Sequence, residues 1–495
     1  MESLLAIVDN LSVGELKLVR HFYKLKNFGE CRKRVQLLDM VVNQKISDNK
    51  LAANMLGYRN YNTSSFKHLK ARLKSDLMAM LLMQECSTKF TTPYAQATFD
   101  CRRFLMQGEI LMSRGVYEEA LDLLGKASKI ANKFELFAEG LQIEDLRRNH
   151  IASRGNMKDF EEACSSIEEN YVRLGKVMTA KRYHYEITTP SLHRVNSYAE
   201  YLRQNNAVNE PAEEYKTRES SKEKLYNNLS SINYLSSIHD FENAQHHAVD
   251  LLHAVENDLV VKSRSNQAGV NMELANIYLN TAQYDKAVMH ASRAVELFKH
   301  GMINQLNAQL VLFFSFFRNN DFKNADKVLQ LSCNHRLIKG APNPLMIFRL
   351  QVLRAALAFK AGSYDECAFV LRENADYMRD KDAWMAGYFI LDTLLLLEKK
   401  SYELAAYRID AFRKMLERNT IYKDEKRITT ITKIMKLIVR ADGDYNKIST
   451  ELKNDLQLLT EGQGQFYWNP AGYEVIRFDE WLLKKIAEQL HKKSA

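Results

Sequence analysis

The sequence is poor in the two residues that interrupt helices. Its 495 residues include only 6 prolines and 18 glycines, and both residue types destabilise helix interiors. Hydrophobic residues make up 46% and charged residues 26% of the chain, which is the balance of a soluble globular protein. The chain is too long for one ordinary core, so an all-α protein with several domains or an extended array is expected.

Several functional classes lack their sequence signatures. The 6 cysteines stand far apart without a C-x-x-C pair, and the sequence contains no G-x-x-x-x-G-K-[ST], H-E-x-x-H or G-x-S-x-G motif,. The first residues lack the basic start and apolar run of a secretion signal, and no stretch reaches about 18 apolar residues. We expect a cytoplasmic protein without a membrane segment, enzymatic activity, cofactor or bound metal.

The positive charge of the chain is concentrated near its start. The formal net charge is +9, and residues 1–90 hold 15 lysines and arginines against 8 acidic residues. The rest of the chain is nearly balanced. This asymmetry points to an anionic partner for the first 90 residues.

A spaced pattern of small and aromatic residues recurs along the chain. In "SRGVYEEALDLLGKA", residues 113–127, Gly115 marks a turn, Tyr117 follows it and Ala120 comes three residues later. The copy "MELANIYLNTAQYDKAVMHASRAVELF" is more complete. The small position recurs at Ala120, Ala163, Ala244, Ala287, Ala325, Cys367, Ala405 and Ile448. The copies around Ala163, Ala244 and Ile448 are the weaker ones.

This pattern resembles the tetratricopeptide repeat over roughly residues 95–455. The spacing between copies is 38 to 43 residues, with one gap of 81 that fits two units, whereas the family repeats every ~34 residues. Small facing residues let two antiparallel helices approach closely, and one hairpin cannot bury its apolar face alone. The resemblance therefore implies an α-solenoid, a superhelix of stacked antiparallel hairpins, with a helical N-terminal domain.

We predict four regions along the chain. They are a basic helical domain at 1–90, N-terminal repeats at 95–205, C-terminal repeats at 206–455 and a capping region at 456–495. Pro190, Pro211 and the polar run "TRESSKEK" predict an irregular unit or a joint over residues 175–222. The stretch "EGQGQFYWNPAGYEV" is rich in turn residues and precedes an amphipathic helix typical of a solenoid cap.

The resemblance also implies where a partner binds. In tetratricopeptide proteins the first helix of each hairpin lines a concave surface that accepts a peptide or a helix. The corresponding positions here are Asn276, Phe314, Phe317, Arg318, Arg349, Phe359 and Lys360. Three phenylalanines with flanking cations suggest a groove for an apolar or helical peptide. However, "LVLFFSFF", residues 310–317, is apolar all round, which favours a helix buried on every side.

Two helices near the start resemble the helix-turn-helix of bacterial transcription regulators. Asp48 or Ser47 can begin a short helix that Gly57 ends, and Thr63 or Ser64 can begin a longer one. In this resemblance the second helix faces the DNA groove, and further basic residues contact phosphates. The candidate nucleic-acid-binding residues are Arg59, Ser64, Ser65, Lys67, His68, Lys70, Arg72 and Lys74. The alternative, which we favour, is an amphipathic helix that docks on the first repeat and exposes its lysines.

A row of histidines has seven-residue spacing. His239, His246 and His253 can lie along one helix face, with His247 beside them. Residues two turns apart are ~10 Å apart along a helix axis, too far to converge on one metal ion. A polar stripe is therefore expected.

These observations favour a non-enzymatic scaffold or adaptor that binds another protein. The alternative is a regulator whose basic N-terminal helices bind nucleic acid while the repeats recruit or sense a partner. A catalytic pocket near residue 200 is a third hypothesis.

Overall fold

The structure is a computed structural model that describes residues 1–9, 11, 13–25, 28–44, 46, 48–83, 92–153, 156–188, 219–340, 343–373, 384–418 and 425–494. Within these ranges the chain forms 23 α-helices, one short 3-10 helix and no β-strand, so the predicted all-α class is confirmed. The chain divides into two compact units, Met1–Thr91 and Thr92–Ala495.

The first unit is a small helical domain with its own core. Its helices are α1 (Glu2–Asp9), α2 (Val13–Leu25), α3 (Phe28–Gln44), α4 (Asn49–Met55) and α5 (Ser64–Met83). Phe66, Leu73 and Leu77 of α5 are fully buried, because they recur on one face of the helix. They pack with residues of α2, α3 and α4 in one core.

The second unit is a solenoid of antiparallel hairpins that pack in chain order. Its helices are α6 (Pro93–Ser113), α7 (Tyr117–Lys133), α8 (Phe137–Ala152), α9 (Met157–Thr188), α10 (Ser221–Ser237), α11 (Phe241–Asn257), α12 (Arg264–Asn280), α13 (Tyr284–Leu297), α14 (Ile303–Arg318), α15 (Phe322–Cys333), α16 (Arg336–Gly340), α17 (Pro344–Lys360), α18 (Tyr364–Glu373), α19 (Trp384–Glu398), α20 (Tyr402–Arg418), α21 (Lys426–Arg440), α22 (Tyr445–Glu461) and α23 (Phe478–Ser494). A 3-10 turn, Gly464–Phe466, lies between the last two.

Six of the hairpin turns share one backbone conformation. One residue after the first helix adopts a positive φ of 54 to 79°. The next N–H then donates to the carbonyl five residues earlier, at 2.9 to 3.0 Å, which satisfies a helix-end carbonyl. The residues with positive φ are Gly115, His239, Ala282, Asn320, Gly362 and Lys400.

The repeated sequence pattern follows from this turn. Each second helix begins with an aromatic residue, and the small residue three positions later is completely buried against the first helix. The aromatic residues are Tyr117, Phe241, Tyr284, Phe322, Tyr364 and Tyr402. The buried small residues, each with 0% exposure, are Ala120, Ala244, Ala287, Ala325, Cys367 and Ala405.

The pattern is less regular around α9. This helix has 32 residues, and Phe160 is its fourth residue rather than its first. An irregular unit or a joint was predicted for residues 175–222, and residues 175–188 of this range continue α9. Residues 189–218, including the region of the hypothetical pocket near residue 200, lie outside the described residues. At the other end, α22 runs through the proposed domain boundary between residues 455 and 456.

Candidate functional site: the hairpin-end surface and the basic cleft

The stretch between α22 and α23 lies across the ends of several hairpins. We call residues 463–477 the return segment, and the residues it meets at the ends of the first helices the hairpin-end surface. His239 follows α10, Asn280 ends α12 and Arg318 ends α14. The return segment contacts all three.

Arg318 binds the main chain of the return segment. Its Nε donates to the carbonyl oxygen of Pro470 and its Nη1 to that of Val475, both at 2.8 Å. The third guanidinium nitrogen, Nη2, is closed off from water and has no hydrogen-bond partner among the described residues. Burial lowers the pKa of Arg318 to about 10, because a desolvated cation is destabilised. Arg318 is the last residue of α14 and follows the buried residues Phe314 and Phe317. Its guanidinium group therefore lies at the helix end, beside this segment.

Two adjacent aromatic residues of the return segment, Tyr467 and Trp468, are held by ring contacts. The Trp468 ring lies against two guanidinium groups, 4.5 Å from that of Arg318 and 4.8 Å from that of Arg477. The Tyr467 ring stacks on His239 with a centroid distance of 3.6 Å, and its hydroxyl donates to Oδ1 of Asn280. Cation–π contacts of this kind contribute about 0.5 to 2 kcal/mol each.

Tyr473 brings the return segment against α19 and α21. Its hydroxyl donates to Oε2 of Glu425 at 2.5 Å. Its backbone carbonyl approaches Gly387 so closely that a Cβ at that position would overlap it. The glycine in α19 is therefore required for this approach rather than for backbone flexibility.

The predicted groove residues occupy three kinds of position. The side chains of Phe314 and Phe317 lie in the hydrophobic core, with exposures of 0% and 2%, and Phe359 is buried as well. They do not reach a partner from these positions. Arg349 lies over the Trp384 ring at 4.6 Å, Asn276 is half-buried and Lys360 is exposed. Arg318 is the member of this set that contacts the return segment.

One titratable residue near Asn276 was not singled out from the sequence. Glu273 lies one turn earlier on the same face of α12, and burial raises its pKa to about 7. The sequence did contain a signal for it. Glu273 lies three positions before Asn276, and residues i and i+3 share a helix face.

The predicted nucleic-acid-binding residues divide over two faces of α5. Ser65, His68 and Arg72 recur on one face, where they line a cleft of about 580 Å³. Arg32, Lys33 and Arg34 of α3 line its other side, together with Tyr58 and Leu69. Among the described residues the lining of this basic cleft includes no carboxylate, although Arg34 pairs with Asp76 of α5 at 2.6 Å. Sequence reasoning missed the three α3 residues, although "RKR" was a visible basic run.

The remaining basic residues lie elsewhere. Lys67 and Lys74 are exposed about half a turn around α5 from the cleft,. Lys70 donates to Oδ1 of Asn49 at 2.6 Å. Ser64 and Arg59 are also exposed, outside the cleft lining.

The connection between α4 and α5 departs from a helix-turn-helix. Eight residues, 56–63, separate the two helices, whereas the DNA-binding motif joins its helices by a turn of three or four residues. Asp48 caps α4 by accepting the N–H of Lys50 at 2.9 Å. The local helix signals were therefore sound, but the spacing between the helices is not that of the motif.

The histidine row does not form a metal site in the described residues. His239 lies in the turn before α11, not on its face. His247 Nδ1 is 2.7 Å from Oδ1 of Asn228. In the part of the chain that the structure describes, no group of three or more histidine, cysteine or acidic side chains converges to hold a metal ion.

No helix among the described residues is long and apolar enough to cross a membrane. The cytoplasmic location stays a prediction.

Comparisons with known proteins give a sparse picture. No family model matches the chain, and no curated protein matches it. Among solved structures, it is similar to the one titled "Crystal Structure of the Apo Form of RapI". That match has 12% sequence identity and a TM-score of 0.40, and it covers 78% of this chain and 98% of that one.

Proposed function

We propose that the second unit is a non-enzymatic scaffold that binds another protein at the hairpin-end surface. The observation that carries this proposal is the hold of Arg318 on two backbone carbonyls of the return segment, at 2.8 Å each. Main-chain hydrogen bonds with flanking ring contacts are the means by which proteins bind extended peptides. The repeats are proposed to be of the tetratricopeptide type, since the turn, the aromatic residue and the buried small residue recur together.

We place the partner at the hairpin-end surface and not at the predicted groove phenylalanines, Phe314, Phe317 and Phe359, which are buried. Lys360 is exposed and interacts electrostatically with both Arg318 and Glu480. It is therefore suited to report on a partner without disturbing the core. Asn276 and Arg349 remain proposed contacts.

Site-specific photocrosslinking in the cells that make the protein tests this function. A photoreactive amino acid replaces Lys360 in one variant and Met289, an exposed residue of the second helix α13, in a control. We expect a discrete crosslinked protein at position 360 and not at position 289, identified by mass spectrometry. Crosslinks of equal yield at both positions, or none to another protein at position 360, would refute the proposal.

A second candidate function is nucleic-acid binding by the first unit. The basic cleft favours it, because four cationic side chains line it. One of them, Arg34, is paired with Asp76 at 2.6 Å, and the excess positive charge of the cleft attracts phosphates. The test titrates the full chain with duplex DNA at two salt concentrations. Binding should weaken with salt and with the double change Arg32→Glu and Arg72→Glu. The matched control, Lys67→Glu with Lys74→Glu, should change it less. Absence of binding at low salt rejects this function.

A further inference from the structure

The return segment makes the contacts of a bound peptide while remaining part of the chain. It is held at the ends of three first helices by the side chains of His239, Asn280 and Arg318. Apart from the short turn Gly464–Phe466 it contains no helix. Its sequence "FYWNP", residues 466–470, places two of the contacting aromatics next to each other before a proline.

Arg318 is incompletely satisfied by this segment. Two of its nitrogens bind carbonyl oxygens, but the buried Nη2 has no acceptor in the part of the chain that the structure describes. The resident carbonyl oxygens do not neutralise the charge of the Arg318 guanidinium. An incoming segment with a carboxylate at Nη2 would form an ion pair with it.

The segment is anchored at its far end by a buried ion pair. Glu474 forms an ion pair with Arg427, and Phe478 N donates to Glu474 at 2.8 Å. At its near end, Gly462 and Gly464 both have positive φ, which glycine adopts without strain. The portion from Gly464 to Tyr473 is thus bounded by glycines on one side and by the anchor on the other. Its departure from the surface breaks the hydrogen bond from Nη1 of Arg427 to the carbonyl oxygen of Phe466, at 3.1 Å, and that from Nε1 of Trp468 to the carbonyl oxygen of Glu474, at 3.2 Å. It leaves the ion pair between Arg427 and Glu474 in place.

We propose that residues 466–473 are a resident ligand of the hairpin-end surface. The partner replaces them with a segment of its own. That segment carries two adjacent aromatic residues, a turn after them and a carboxylate for Arg318. This inference rests on the proposed function and names the chemistry of the partner. It also makes the resident segment a competitor of the partner.

The test measures binding of a labelled synthetic peptide to the full chain. The peptide has the sequence of residues 463–473. A release variant, Tyr467→Ala with Trp468→Ala, weakens the resident segment. We expect the release variant to bind the peptide at least about tenfold more tightly than the wild type, a difference of about 1.4 kcal/mol. Adding Arg318→Ala should abolish binding. A peptide with Tyr467 and Trp468 replaced by alanine is the matched control.

A second measurement needs no variant. Hydrogen exchange of wild-type residues 463–473 is followed with and without excess peptide, and we expect exchange to rise with peptide concentration. A folded release variant that does not bind the peptide overturns the inference. If that variant does not fold, exchange in the wild type that is unchanged by peptide overturns it.

Failure of this inference is distinguishable from failure of the proposed function. A partner that crosslinks at position 360 while the exchange of residues 463–473 stays slow shows a scaffold whose return segment is a permanent cap. In that case the proposed scaffold function is supported, and the proposal that the return segment competes with the partner is refuted.

Discussion

Arg427 and Glu474 form a bidentate ion pair inside the second unit. Nε of Arg427 is 2.6 Å from Oε2 of Glu474, and Nη2 is 2.9 Å from Oε1. Nη2 also lies 2.7 Å from Oδ1 of Asp479. Burial alone lowers the pKa of Arg427, but the hydrogen bonds and charges of the two carboxylates more than offset it and raise the pKa. This network fixes the place where the chain returns to the solenoid.

Replacing Arg427 by methionine should destabilise the second unit by about 3–5 kcal/mol, because buried Glu474 loses its counterion and buried Asp479 keeps its pair with Arg477 alone. Urea unfolding followed by tryptophan fluorescence measures this, since Trp384, Trp468 and Trp481 all lie in this unit. The control is Arg413→Met, which breaks an exposed pair with Glu417 and should cost about 0–1 kcal/mol. Equal losses in the two variants would contradict a structural role for the buried network.

Gly387→Ala should loosen the return segment, since the added Cβ overlaps the carbonyl of Tyr473. Overpacking of this kind costs about 1–3 kcal/mol. The matched change Gly269→Ala, also within a helix, meets nothing within 4 Å and should be neutral or stabilising by up to about 1 kcal/mol. Unfolding by urea and hydrogen exchange of residues 472–475 check both. If residues 472–475 of the Gly387→Ala variant exchange as in the wild type, then α19 shifts to accommodate the added Cβ and the return segment keeps its position.

The repeat was predictable because its signals are local. The turn, Tyr284 and Ala287 lie within six residues of one another, and each has a packing reason that holds for every hairpin. Completely buried Cys367 fits the same position as the alanines, since the site selects for small size.

The hairpin-end surface was not predictable in the same way. Arg318 meets Pro470 and Val475 across 152 and 157 residues, and no short pattern records such a contact. The stretch "LVLFFSFF" was compatible with a buried helix and with a helix that lines a groove. In the structure Phe314 lies in the core, and Arg318, at the end of the same helix, binds the return segment. Arg427 gave a usable signal, because it precedes Ile431 by four residues and so falls on the apolar face of α21,.

The small residue after each turn should not tolerate a larger one. Ala287→Leu adds three carbons where exposure is 0%, so we expect a loss of about 1–3 kcal/mol. Ala138→Leu makes the same change at an exposed helical position and should stay within about 0.5 kcal/mol of the wild type. Thermal unfolding followed by circular dichroism compares them. If Ala287→Leu unfolds like the wild type, close helix approach is not what the repeat requires.

Glu273 should make the stability of the second unit depend on pH. Its pKa is raised by burial from 4.5 to about 7 in the folded protein, so the folded state binds more protons than the unfolded state between these values. Stability from this group is therefore lost as pH rises from about 4.5 to 7, and the loss persists above pH 7.

Glu273→Gln removes that titration, because an amide resembles the neutral acid. The variant should be more stable than the wild type by about 1–3 kcal/mol at pH 8, and the difference should shrink toward zero near pH 4.5. Urea unfolding at several pH values measures the difference, with Glu296→Gln as an exposed control. A pH-independent difference would mean that the pKa of Glu273 is the same in the folded and unfolded protein, and then this face of α12 would present a negative charge to a partner at neutral pH.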